Sequence, residues 1–139
     1  MPSLFLLNEQ LPTDLQKVNL FVERVSRNIL SAIGNEQGIF DVKLALEEAL
    51  TNAMRHGNAL DQSLKVDVSI EVYPEKIIMD IRDEGKGFDF QNLPDPTDKS
   101  NVDKPSGRGV FLMRRVMDKV EFYGGGSGVK LTKFFPLCL

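Results

Sequence analysis

The chain reads as a two-layer α/β sandwich, with helices packed on one face of a mixed, mainly antiparallel sheet. Three observations predict it. Two stretches early in the sequence carry apolar residues at steps of three and four. Behind them Lys65 to Val72 alternates strictly between polar and apolar and is followed at once by an Ile-rich partner. A further helical pattern then leads into two short strands. With 139 residues, 42% of them hydrophobic and 27% charged, the composition is that of one globular domain over residues 1–139, with enough core to stand without metals or disulfides.

Taken in order, Leu4 to Leu7 fits either an edge strand or a frayed terminus. Thr13 and Gln16 have the spacing of a capping box, and Leu15, Val18, Val22, Val25, Ile29 and Ala32 continue as the apolar stripe of a helix that stops at Gly34. The spacing predicts a second helix from Phe40 to Met54, through Val42, Ala45, Leu46, Ala49, Leu50 and Ala53, ending near Gly57. In the first strand Val66, Val68, Ile70 and Val72 share one face, while Lys65, Asp67, Ser69 and Glu71 face water. Pro74 and Glu75 make a turn, and Lys76 to Arg82 returns as the second strand of an antiparallel hairpin.

From Asp89 to Ser106 periodicity is lost among Pro94, Pro96 and Pro105, which marks a long loop of the functional kind. A third helix is expected over Val110 to Met117, then strands near Val120 to Tyr123 and Val129 to Phe135, read as a meander. The glycine run Gly124 to Gly126 with Ser127 and Gly128 is a hairpin turn rather than a phosphate loop, because no helix follows it.

Several functions are excluded or disfavoured by composition. A net charge of -3 with both signs interspersed gives no positive field for nucleic acid. No segment is long enough to span a membrane. Met1 to Leu7 lacks the basic flank and cleavage site of a secretory signal, and the lone Cys138 cannot form an internal disulfide, so a cytoplasmic protein is expected.

Three places carry chemistry. On a helical wheel Glu48, Asn52 and His56 form one row beside the apolar stripe, whereas Glu47 falls on the far side with Lys43 and Thr51, where a Lys43 and Glu47 surface pair is expected. A carboxylate and a carboxamide one turn apart suit magnesium and a nearby hydroxyl; a polar helix flank with His56 capping the end is the structural alternative. The second place is Asp83 to Phe88, at a strand end. There Asp83 can accept from an exocyclic amine while Gly85 and Gly87 let backbone approach a flat ring, unless the segment is a plain turn. At the third, Ser106, Gly107, Arg108 and Gly109 open a helix, whose free amides form a phosphate site aided by Lys104 and Arg108; otherwise Ser106 merely caps the helix.

Their order along the chain is more specific than any one of them, and it resembles the Bergerat ATPase superfamily of gyrases, chaperones and histidine kinases. Glu48 to Ala53 with His56 and Gly57 is similar to its N box, Asp83 to Phe88 to its first glycine box, and Gly107 to Met113, including Val110, to its second. The resemblance runs from Phe40 onward. Within the superfamily, the short length, the preceding helix and the run Gly107 to Met113 resemble the bacterial anti-sigma factor serine kinases. That resemblance implies a histidine-kinase-like ATPase fold binding ATP with Mg2+, a sigma factor and a STAS-domain anti-sigma factor antagonist as partners, and a homodimer. By motif position it makes Glu48 the base for the substrate hydroxyl, Asn52 the magnesium ligand and Asp83 the adenine reader. Gly85, Gly87, Gly107 and Gly109 shape the pocket, and 89–106 becomes the ATP lid. Three other readings stand beside it: an ATP-dependent binding module of a non-sigma switch without kinase activity, a detached histidine-kinase catalytic domain, and a structural domain with coincidental motifs. A phospho-accepting helix ahead of the domain would be needed for the second of these.

Overall fold

The computed structural model describes residues 2–34, 36, 38–87 and 105–135, with the side chains of 105–107 left aside. Five strands and three helices follow in the order β1 (Phe5–Pro12), α1 (Val18–Ile33), α2 (Ile39–Asn52), β2 (Lys65–Tyr73), β3 (Lys76–Asp83), α3 (Pro105–Val116), β4 (Lys119–Tyr123) and β5 (Gly128–Phe134). The sheet order is β1-β2-β3-β5-β4, and all four pairings are antiparallel. The expected mixed sheet is therefore antiparallel throughout. It is not a simple meander either, because β5 inserts between β3 and β4, a choice that local periodicity does not encode.

The period-two pattern explains which face the helices cover. Val66, Val68, Ile70 and Val72 of β2 and Ile77, Met79 and Ile81 of β3 are buried, and their register places Val68 opposite Ile81 and Ile70 opposite Met79. The other face is polar, with Asn8, Gln10, Asp67, Ser69, Asp80, Arg82 and Tyr123 around one open depression. The first strand settles the ambiguity at the start of the chain: Phe5 to Pro12 pairs along its length with β2 and forms the sheet edge.

Helix α1 presents Val18, Phe21, Val22, Val25 and Ile29 to the core, each side chain of this size worth about 1.5–3 kcal/mol when fully buried. It stops where Gly34 turns left-handed at φ 71° and its amide donates to the Leu30 carbonyl at 2.7 Å, a turn that glycine adopts without a Cβ clash. Its start differs from the expected capping box. Asp14, not Thr13, accepts from the Gln16 amide at 3.0 Å and opens a short 3-10 turn over Leu15–Lys17. Thr13 is buried and donates its hydroxyl to the Leu64 carbonyl at 2.6 Å, because β1 runs on to Pro12 and carries Thr13 inward.

Helix α2 packs between α1 and α3 and buries Val42, Ala45, Leu46, Ala49 and Leu50. The expected Lys43 and Glu47 pair is not formed: Lys43 reaches across to Glu23 of α1 at 2.7 Å. Instead of ending cleanly, α2 passes into a π turn over Ala53–Gly57, a widened turn of the kind that recurs at functional positions. Among the described residues no helix is long and apolar enough to cross a membrane.

Candidate active site

The row predicted on α2 separates by depth. Asn52 is 4% exposed, Glu48 and His56 are half-buried, and the π turn after Asn52 resets the helical phase before His56. Burial pushes the Glu48 carboxyl above its ordinary pKa, and the charge of Glu47 pushes in the same direction. Burial lowers the His56 imidazole, with Arg55 adding to the effect. The Asn52 Nδ2 is buried without a hydrogen-bond partner, an uncommon state for a native carboxamide.

Helix α3 begins at Pro105, earlier than expected, so Gly107, Arg108, Gly109 and Val110 all lie inside its opening turns. Val110 is a core residue and Arg108 is exposed. Gly109 meets α2: a Cβ built there would lie 2.7 Å from Glu48 Oε2 and 3.2 Å from Asn52 Nδ2. A side chain there would have to push the Glu48 carboxylate aside, so glycine leaves the polar pair undisturbed. Lys104, Phe88 and the expected lid at 89–106, apart from the helical residues 105 and 106, lie outside the described residues.

At the end of β3, Asp83 is 7% exposed and faces the π turn. A Cβ on Gly57 would lie 2.1 Å from Asp83 Oδ2, and one on Gly85 would lie 2.0 Å from the Gly57 carbonyl oxygen. Burial pushes the Asp83 carboxyl up, against the opposing effect of backbone N–H groups of Gly85, Gly87 and Asp83 itself; the Gly85 amide donates to Oδ1 at 3.0 Å. Gly87, at φ 75°, rests on the hairpin near Gly126 and Ser127.

Asn52 and Asp83 meet at one mostly apolar pocket, joined by Ala49, Ala53, Ile81 and Met113 and, on the far side, by Phe122 and Gly126 to Val129, whereas Glu48, His56, Gly85, Gly87 and Gly109 lie outside its lining. Sequence reasoning missed that last wall. The glycine hairpin was legible as a turn, but its place beside Asp83 follows from β5 pairing with β3, and the Asp83 amide donates to the Ser127 carbonyl at 2.8 Å. Asn58 was missed as well; it is buried and bonded to both Thr13 and Glu84.

An apolar slot with one aspartate at its rim suits a flat base bearing an amine, and the orphan carboxamide beside a carboxylate suits a hard cation. Among the described residues no three His, Cys, Asp or Glu side chains cluster as a metal cage.

Three helices thus pack on an antiparallel sheet, with α2 meeting the end of β3 across this pocket. Residues 9–133 match the histidine kinase-like ATPase domain. The serine-protein kinase RsbW of Bacillus subtilis (strain 168) is 33% identical, covering 79% of this chain and 76% of that protein. RsbW of Oceanobacillus iheyensis is 31% identical, covering 70% and 68%. The chain thus belongs to the histidine kinase-like ATPase domain family and, within it, to the RsbW serine-protein kinases. In fold it is similar to the crystal structure of the RsbU and RsbW domains of a Mycobacterium tuberculosis protein, with a TM-score of 0.60 and 18% identity; the match covers 96% of this chain and 34% of that one.

Proposed function

We propose that this chain is an anti-sigma factor that uses ATP with Mg2+ to phosphorylate a serine on a STAS-type antagonist protein, in a partner-switching circuit. The observation that carries the reading is the pairing on α2 of a half-buried Glu48 with a buried Asn52 whose Nδ2 is unpartnered. Nitrogen and oxygen of a carboxamide exchange places by a simple flip, so Asn52 can offer Oδ1 to the cation. When bound, the cation neutralises phosphate charge. Asp83 accepts from the adenine amine, and the walls of Ile81, Met113 and Val129 hold the ring. Gly107 lies in the first turn of α3, where free amides and the helix dipole favour phosphate; Arg108 and Lys104 add charge.

The transfer asks little covalent chemistry of the protein. The serine Oγ forms a bond to the γ-phosphorus as the bond to the bridging oxygen breaks and ADP leaves, while Glu48 takes the hydroxyl proton. The raised Glu48 pKa makes its carboxylate a stronger base than a solvated one. Glu48→Ala is expected to keep ATP binding, read by calorimetry, and to abolish phosphate transfer to the purified STAS partner; transfer at the wild-type rate would sink the assignment. The kinase also acts as a cytoplasmic homodimer in this reading, so gel filtration at high concentration should give twice the chain mass.

A further inference from the structure

Behind Asp83 lies a buried polar cluster that none of the roles above uses. Asn58, 1% exposed, follows the π turn directly. Its Nδ2 donates to Thr13 Oγ1 at 2.8 Å and to the Lys65 carbonyl at 3.1 Å, and its Oδ1 accepts from the Glu84 amide at 3.0 Å. The Thr13 hydroxyl in turn donates to the Leu64 carbonyl. Glu84 closes the ring by accepting the Lys65 amide at 2.5 Å through Oε1. One carboxamide therefore ties together the end of β1, the start of β2, the end of β3 and the turn that leaves α2.

The two residues it holds lie beside Asp83. Gly57, on the N-terminal side of Asn58, touches the Asp83 carboxylate, and Glu84, held through its amide, follows Asp83. We propose that Asn58 is a positioning residue for Asp83: it fixes the gap between the π turn and the end of β3, and so sets the carboxylate at the one place from which it discriminates the base. This rests on Asp83 meeting the adenine amine. A carboxylate held by satisfied neighbours on both sides discriminates by geometry, because a ligand lacking the amine leaves the acceptor unpaired. Freed from the Glu84 amide, the strand end relaxes and the same carboxylate accepts from water or from other edges of a base. Affinity then falls, and selectivity falls with it.

The test compares binding of ATP with that of ITP, which lacks the exocyclic amine, by displacement of a fluorescent nucleotide. The wild type is expected to prefer ATP by tenfold or more, on the order of what a designed hydrogen bond confers. Asn58→Ala should bring that ratio below about threefold, whereas a residue of merely structural importance would weaken both nucleotides equally and keep the ratio. Asp83→Ala, which removes the acceptor, is the control for the underlying reading. Should it retain the preference for ATP, Asp83 is not the reader and the proposal falls with it. Lost preference in Asp83→Ala with an unchanged ratio in Asn58→Ala would overturn the role of Asn58 alone. If Asn58→Ala does not fold, Thr13→Val, which is isosteric and removes the hydroxyl accepting from Asn58, decides by the same ratio.

Discussion

Glu48 is influenced from two sides, by burial and by the exposed Glu47 next to it. Glu47→Gln removes one of them, so the acid limb of the pH profile for phosphate transfer is expected to move to lower pH; a limb that stays in place would show that the Glu47 charge does not reach the base. The raised pKa also fixes a sign in stability. The folded state holds the Glu48 proton more tightly than the unfolded chain does, so ionisation costs stability, a cost absent below the unfolded carboxylate pKa and fully present once pH passes the folded one. Glu48→Gln should therefore show a higher urea midpoint than wild type at neutral pH, with the gain vanishing near about pH 3. In the role proposed for Glu48, catalytic readiness and stability oppose each other at this one side chain.

Between elements the decisive contacts are made by glycine. Gly57→Ala would drive a methyl group into the Asp83 carboxylate, and Gly85→Ala would drive one into the Gly57 carbonyl. A displaced carboxylate can turn aside, but a backbone oxygen cannot. Gly57→Ala is thus expected to weaken ATP binding by roughly tenfold with little change in melting temperature, and Gly85→Ala to lower both; calorimetry and thermal unfolding check the pair. Away from the pocket, Ile70→Ala should cost about 2–5 kcal/mol in denaturant unfolding, since Ile70 is fully buried under the helices. Most of these elements were readable from periodicity, because α1, α2 and the β2 and β3 hairpin each bury one face. The start of α1 was misread since Thr13 and Asp14 are both good caps, and only the pairing of β1 with β2 decides which faces inward. The row on α2 was visible at Glu48 and Asn52, but a π turn has no residue signature, and the depth of His56 followed from it. Asn58 carried no signal beyond being a polar residue after a glycine.

At the scale of the molecule the layers are joined mainly by the core, with ion pairs at its margins. Arg24 of α1 meets Glu9 of β1 through two hydrogen bonds of 2.7 and 3.0 Å, both side chains being well exposed, so Arg24→Ala should cost less than about 1 kcal/mol in urea unfolding. Deeper in, Lys133 of β5 donates to Asp41 Oδ2 at 3.1 Å and to the Val116 carbonyl at 2.8 Å, binding the start of α2 and the end of α3 to the sheet. The insertion of β5 between β3 and β4 bears on how the molecule is made. While the ribosome is still delivering the residues before 128, β3 has a raw edge bearing Ile77, Ile78 and Met79, a template for pairing with other nascent chains. The strand that covers this edge also brings Ser127 to Asp83, so the last sheet closure and the completion of the proposed nucleotide pocket are one event. With the site as proposed, ATP is a ligand of the finished sheet alone, and its presence during refolding should draw chains past the aggregation-prone stage and raise the yield of monodisperse protein.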